Sequence, residues 1–248
     1  MTSNRELTSL AHAKRSWPVV ALIATALCLA SPLVSGPPDY AEERDAMIGD
    51  LRDRGIQSDR VLVAVRQVPR HLFVSEHDRS RACQDVDLPA GNGQSCCRPY
   101  VAALSAQILD LKPTSKVLQV GAECGYETAV LAQLTPQIHV IDMRPGVADA
   151  ARSRLRGMGY TSIAWKTGDA CKGWAEHAPY DAILVTCATQ AVSGDLVKQL
   201  REGGRMLIPV GRGPAQTLNC IRKSAGRVRS EKVMPLRADP MVCERPSS

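Results

Sequence analysis

Aromatic side chains are scarce in this chain, at 4% of 248 residues, and Phe73 is the single phenylalanine. A surface that stacks bases needs several aromatic faces, so a single-stranded nucleic-acid binder is a poor fit. Positive charge is modest too. The formal net charge is +6, and Arg5, Lys14 and Arg15 against Glu6 place +2 of it in residues 1–36, leaving +4. That is too little to argue for nucleic acid as a partner. Eight Arg or Lys fall in residues 201–232 against Glu202 and Glu231, and the solvated face of a hairpin accounts for them.

None of the nine cysteines forms a C-x-x-C pair or sits beside metal-spaced histidine, so no metal site is expected. Internal repeats and low-complexity linkers are also missing. What is present is a 44% hydrophobic composition, enough for one full α/β domain with a sizeable core.

Residues 1–36 read as a signal peptide or membrane anchor, and residues 37–248 as the folded domain. Lys14-Arg15 precedes an apolar run over residues 17–34, which is at the short end for a spanning helix. Positive charge before the run and Asp39, Glu42, Glu43 and Asp45 after it orient the domain for export, to the periplasm or to an anchored position. Membrane contact is then expected only through residues 17–34, if the leader is retained. The alternative is a cytoplasmic protein whose true start lies near Met47. Without Cys28, eight cysteines remain, an even number compatible with disulfides.

After Pro37-Pro38, the spacing predicts a helix over 42–54 closed by Gly55, and a second capped by Ser58 and stopped by Pro69. Residues 68–74, VPRHLFV, are an apolar stretch containing Arg70 and His71. Residues 75–97 read as an irregular, substrate-facing loop, and Pro99 can start a helix to Leu109. Strands are predicted at 116–120, 137–142, 161–166, 180–186 and 204–210, with helices at 126–134, 146–157 and 193–200. Residues 216–223 and 228–236 follow as a hairpin. The pattern is a doubly wound, mostly parallel α/β sheet with an antiparallel edge hairpin and an N-terminal helical addition.

In such a sheet the ligand lies beyond the carboxyl ends of the strands. The strand 116–120 runs into a turn bracketed by Gly121 and Gly125, whose backbone would approach the ligand. Asp142 follows Gly121 by 21 residues, near the ~20 expected for a ribose-binding acid. Asp169, after the third strand, could meet an adenine edge. These placements imply a nucleoside ligand.

Several runs match, in order, one known family. They are Val68 to Val74, Gly93-Gln94 with Pro99-Tyr100, Gly121 to Tyr126, Gly168-Asp169, Gly173-Trp174, Ala178 to Asp181, and Gly203-Gly204-Arg205 through Ile208 to Gly211. Over about residues 41–236 the chain resembles the protein-L-isoaspartate (D-aspartate) O-methyltransferases, enzymes with a Rossmann-like class I methyltransferase fold. The resemblance implies S-adenosyl-L-methionine as cofactor and isoaspartyl-containing proteins or peptides as substrates. Methylation of the isoaspartyl α-carboxylate leads to a succinimide that reopens partly to aspartate, repairing aged proteins.

By family position, Asp85, Gln94, Ser95 and Cys97 would shape the methyl-transfer site. Gly121, Glu123, Gly125, Asp142, Asp169 and Ala170 would hold the cofactor. Cys97 stands where the family has its active-site serine, and Gln119 and Glu123 where it has an acid and a glycine. A carboxylate at 123 can swing to solvent or pair with Arg98. A second reading is a non-catalytic exported binding or scaffold protein on the same fold. Cys83, Cys96, Cys97, Cys124, Cys171 and Cys187 map around the pocket, either as small buried hydrophobes or as disulfide stitches, with Cys97–Cys124 the first pair to test.

Overall fold

The computed structural model describes residues 40–91, 93–213, 215–241 and Cys243. The expected leader, with its apolar run over 17–34, lies outside the described residues. Among those described, no helix is long and apolar enough to cross a membrane.

The helical addition comes first. Helix α1 spans Ala41–Asp53 and α2 spans Asp59–Gln67, with the Ser58 hydroxyl accepting from the Val61 N–H at its start. The VPRHLFV stretch then coils into a 3-10 turn over Arg70–Leu72. Residues 75–97 are more ordered than an irregular loop. They hold a 3-10 segment, Glu76–Arg81, and an antiparallel hairpin of β1 (Leu88–Gly91) and β2 (Gln94–Cys96). Helix α3 (Pro99–Leu109) follows, with Pro99 in its first turn, where no N–H is required.

The main sheet is built from β3 (Lys116–Val120), β4 (Gln137–Asp142), β5 (Ala164–Thr167), β6 (Tyr180–Val185), β7 (Leu200–Arg212), β8 (Ala215–Ser224) and β9 (Arg227–Pro235). Their order is β5-β4-β3-β6-β7-β8-β9, parallel as far as β7 and antiparallel beyond. Helices α4 (Tyr126–Leu134), α5 (Pro145–Gly157) and α6 (Gly194–Gln199) make the crossovers. Strand order reverses between β3 and β6, so a crevice opens at the end of β3. Val117 to Val120 are all buried because helices cover both faces there.

Two spans shift from their sequence-based limits. Pairing of β5 with β4 begins at His139 opposite Ala164, leaving residues 161–163 outside the ladder. Strand β7 starts at Leu200, which pairs with Tyr180 ahead of an irregularity in register. At the far edge, Arg227, Arg229 and Lys232 are exposed on β9, charges that disfavour pairing with another chain.

Candidate active site

At the end of β3 the chain must turn sharply beneath β6. Gly121 has φ +96°, and a side-chain carbon there would run into Thr186 Oγ1. Only glycine meets both conditions, so the backbone is left bare at this point. Gly125, at φ +89°, caps α4. Between them Glu123 takes φ +45°, a left-handed conformation unusual for a residue with a side chain.

Asp142 ends β4 with 3% of its surface exposed. Its Oδ2 accepts from the Ala122 N–H (2.8 Å) and Arg144 Nη2 (3.1 Å), and its Oδ1 from the Arg144 N–H (2.8 Å) and Nε (3.1 Å). A carboxylate has about four acceptor sites, and here all four are engaged. Asp169 lies past β5, where its Oδ1 accepts from the Cys171 N–H at 2.9 Å. Ala170 is buried beside it, and with Gly121, Asp142 and Arg144 it borders a hollow of about 20 Å³.

A larger cavity of about 250 Å³ adjoins the turn. Gln94, Ser95 and Cys97 line one side, Glu123 and Glu127 the floor, and Thr186 the end of β6. The structure therefore brings together the predicted Gln94, Ser95, Cys97 and Glu123. Asp85 stands apart. It binds Arg54 at 2.6 Å and accepts from the Tyr100 N–H at 2.8 Å, at the start of α3. Asp87 lines the cavity instead, and Arg98 is engaged with it at 2.8 Å rather than with Glu123.

Glu123 and Glu127 share this floor. Burial pushes the Glu127 carboxyl up to about 7, against the hydrogen bond it receives from the Cys97 thiol. Burial, and then the neighbouring Glu127, hold Glu123 well above the ordinary carboxylate range, opposed by a hydrogen bond with Thr186. Burial also keeps the Cys97 thiol protonated.

Arg70 organises the wall behind. It is 2% exposed, and its guanidinium donates to the carbonyls of Cys97 (3.1 Å), Ala82 (2.8 Å), Gln84 (3.4 Å), Val86 (2.8 Å) and Cys96 (3.1 Å). The cysteine arrangement differs from the expected one. Cys97 and Cys124 are both free, and it is Cys96 whose sulfur meets the Cys124 thiol. Cys97 lies one residue past β2 and faces Glu127 instead. The disulfide among the described residues joins Cys171 to Cys243, with Cα atoms 5.5 Å apart.

That bond fastens a tail whose role the sequence does not signal. The Ala188 N–H donates to Asp239 O and the Met241 N–H to Ala188 O, each at 2.7 Å. Gln216 exchanges two hydrogen bonds with the Ala238 backbone. Leu236 to Asp239 line the larger cavity, and Pro240 borders the smaller one.

The donor set fits S-adenosylmethionine. Carboxylates at Asp142 and Asp169 match a ribose and an exocyclic amine, and the bare backbone at Gly121 lets a cofactor approach the turn. Arg144 would have to yield one acceptor site on Asp142.

Comparison with known proteins agrees. The family model "Protein-L-isoaspartate(D-aspartate) O-methyltransferase" matches residues 42–245. Protein-L-isoaspartate O-methyltransferase of Roseiflexus sp. (strain RS-1) is 43% identical over 204 residues, covering 82% of this chain and 94% of that protein. The Dictyoglomus thermophilum protein of the same name is 37% identical over 207 residues, covering 84% and 94%.

Among solved structures, a protein-L-isoaspartate O-methyltransferase superposes with TM-score 0.72 at 22% identity, covering 79% of this chain and 65% of that one. A Plasmodium falciparum protein, proposed to have the same activity and solved in complex with S-adenosyl-L-homocysteine, gives TM-score 0.69 at 20% identity, with 80% and 98% covered. These two bear on the fold alone, whereas the family model and the curated relatives settle membership: this chain belongs to the protein-L-isoaspartate(D-aspartate) O-methyltransferase family.

Proposed function

We infer that the protein transfers the methyl group of S-adenosylmethionine to the α-carboxylate of isoaspartyl residues in proteins or peptides. The observation that carries this reading is the junction of two sites at the end of β3. The glycine turn with Asp142 and Asp169 suits a nucleoside, and the adjoining cavity with Gln94, Ser95 and Cys97 suits a small carboxylate. Bound there, the cofactor supplies a methyl group on a positively charged sulfur.

Asp142 and Asp169 would hold the nucleoside, and Gly121 and Gly125 would let the backbone approach it. Gln94, Ser95 and Cys97 would orient the substrate carboxylate within the cavity. A carboxylate is already a competent nucleophile, so the protein's task is mainly positioning.

Two measurements test this. Calorimetric titration with S-adenosylhomocysteine should show micromolar binding. Methyl-labelled S-adenosylmethionine should transfer label to an isoaspartyl peptide and not to its aspartyl counterpart. Binding absent at millimolar ligand would remove the reading.

We further propose that the protein acts outside the cytoplasm, exported by the signal in residues 1–36 or anchored through residues 17–34. The charge asymmetry around the apolar run supports this, and the Cys171–Cys243 disulfide is the kind of bond an oxidising compartment maintains. Cell fractionation with N-terminal sequencing of the mature chain tests it. A cytoplasmic product starting near Met47 would overturn it.

A further inference from the structure

Glu127 is unusually placed. It sits in the first turn of α4, 8% exposed, and it forms part of the floor of a cavity that, on the function proposed above, must receive a carboxylate. The surrounding charges offer that anion little. Arg98 is engaged by Asp87, and the Arg70 guanidinium spends its donors on five backbone carbonyls. Arg237 lies at the exposed rim beside Asp239.

We propose that Glu127 is a substrate-binding residue of this cavity, donating the O–H of its protonated carboxyl to the isoaspartyl carboxylate while the Cys97 thiol holds its other oxygen. The inference rests on the methyltransferase reading and adds the residue that decides whether the anion is accepted. A neutral carboxyl is a donor, and the same group ionised is an acceptor only and repels the substrate. The switch falls in an accessible range, because burial pushes Glu127 up to about 7.

The groups facing Glu127 are Cys96 and Cys97 from the hairpin side, Glu123 from the turn after β3, and Asp87 from the segment before β1. Thr186 closes the β6 side, and Asp239 and Arg237 belong to the tail. Cys97 stays protonated, and Asp87 is held by Arg98. Glu123 and Cys96 are the neighbours able to mimic the effect, Cys96 because the Cys124 thiol and the Arg70 guanidinium bring its own thiol below the ordinary range despite burial, and the Glu127 variant separates Glu127 from both.

The test uses the full chain saturated with S-adenosylhomocysteine and a fluorescent isoaspartyl peptide lacking histidine and blocked at its amino terminus. Its Kd, read by anisotropy from pH 6 to 9, should weaken toward tenfold per pH unit above about 7, the limit for loss of one required proton. Glu127→Gln keeps a neutral donor, so its Kd should stay flat over that range, whereas Glu123→Gln should retain the pH dependence. A wild-type Kd that is level from pH 6 to 9, or an E127Q profile that rises like wild type, would overturn the role of Glu127. If the peptide binds no better than its aspartyl counterpart at every pH and S-adenosylhomocysteine fails to bind, the methyltransferase reading itself falls.

Discussion

The Nε of Arg70 donates to the carbonyl of Cys97 at 3.1 Å, across 27 residues of sequence, and so fixes one wall of the cavity from beneath. The other N–H groups of the guanidinium are spent on four more carbonyls of the same loop. Lysine carries three donors, so Arg70→Lys leaves at least two of the five without partners. At ~1–3 kcal/mol for each unsatisfied buried group, the loss of stability should be about 2–6 kcal/mol. Urea unfolding should show a lower midpoint with an unchanged slope, and kcat should fall because the Cys97 backbone is no longer held.

Glu123 combines a left-handed backbone with a buried carboxyl. Its pKa is raised in the folded state, so the folded chain binds the proton more tightly than the unfolded chain does. The resulting penalty is small below the ordinary carboxylate range and grows as pH rises through and beyond it. Glu123→Gly removes that penalty and relieves backbone strain of ~1–2 kcal/mol, against ~0.5–1 kcal/mol of added chain entropy. The variant should match wild type closely at pH 4 and be clearly more stable at pH 8 in paired denaturation curves.

Arg144 fills acceptor sites on Asp142 that a ribose would need. Truncation in Arg144→Ala frees two of them. At ~1 kcal/mol for each bond no longer displaced, S-adenosylhomocysteine should bind about five- to thirtyfold more tightly by calorimetry. Weaker binding would instead make Arg144 a cofactor ligand in its own right.

The Cys171–Cys243 bond closes a loop across 72 positions of sequence. Cys243→Ser should cost ~2–4 kcal/mol of stability, largely through the freed unfolded chain. Wild-type protein melted with a reductant should then converge on the melting temperature of the variant, which reductant should leave unmoved.

Much of the architecture is readable from local pattern. The run at 116–120, Pro99 as a helix start and the stretch 126–134 are set by neighbours in sequence, and each element falls on those limits. The start of β5 is not, because Ala164 begins the strand only where β4 provides a partner. The site divides the same way. Gly121 and Asp142 stand at fixed places in a strand–turn–helix unit, so spacing finds them. Asp87, Glu127 and Asp239 reach the cavity only through tertiary packing, and none carries a local mark. The Cys171–Cys243 pairing likewise depends on where the chain end lies, which spacing does not encode. Cys96 and Cys97 show how fine the limit is, since Cys96 ends a three-residue strand and Cys97 lies just past it, and only the folded chain decides which of them meets Cys124.

Residues 236–239 reach the cavity after every strand of the sheet has been laid down, and Cys243 clasps them last. A growing chain can therefore complete its sheet, and even its glycine turn, while the active-site wall is still missing. The last wall of the cavity is therefore set by a segment that contributes no strand to the sheet. A substitution in that tail such as Asp239→Ala would alter the cavity wall without removing a strand of the sheet.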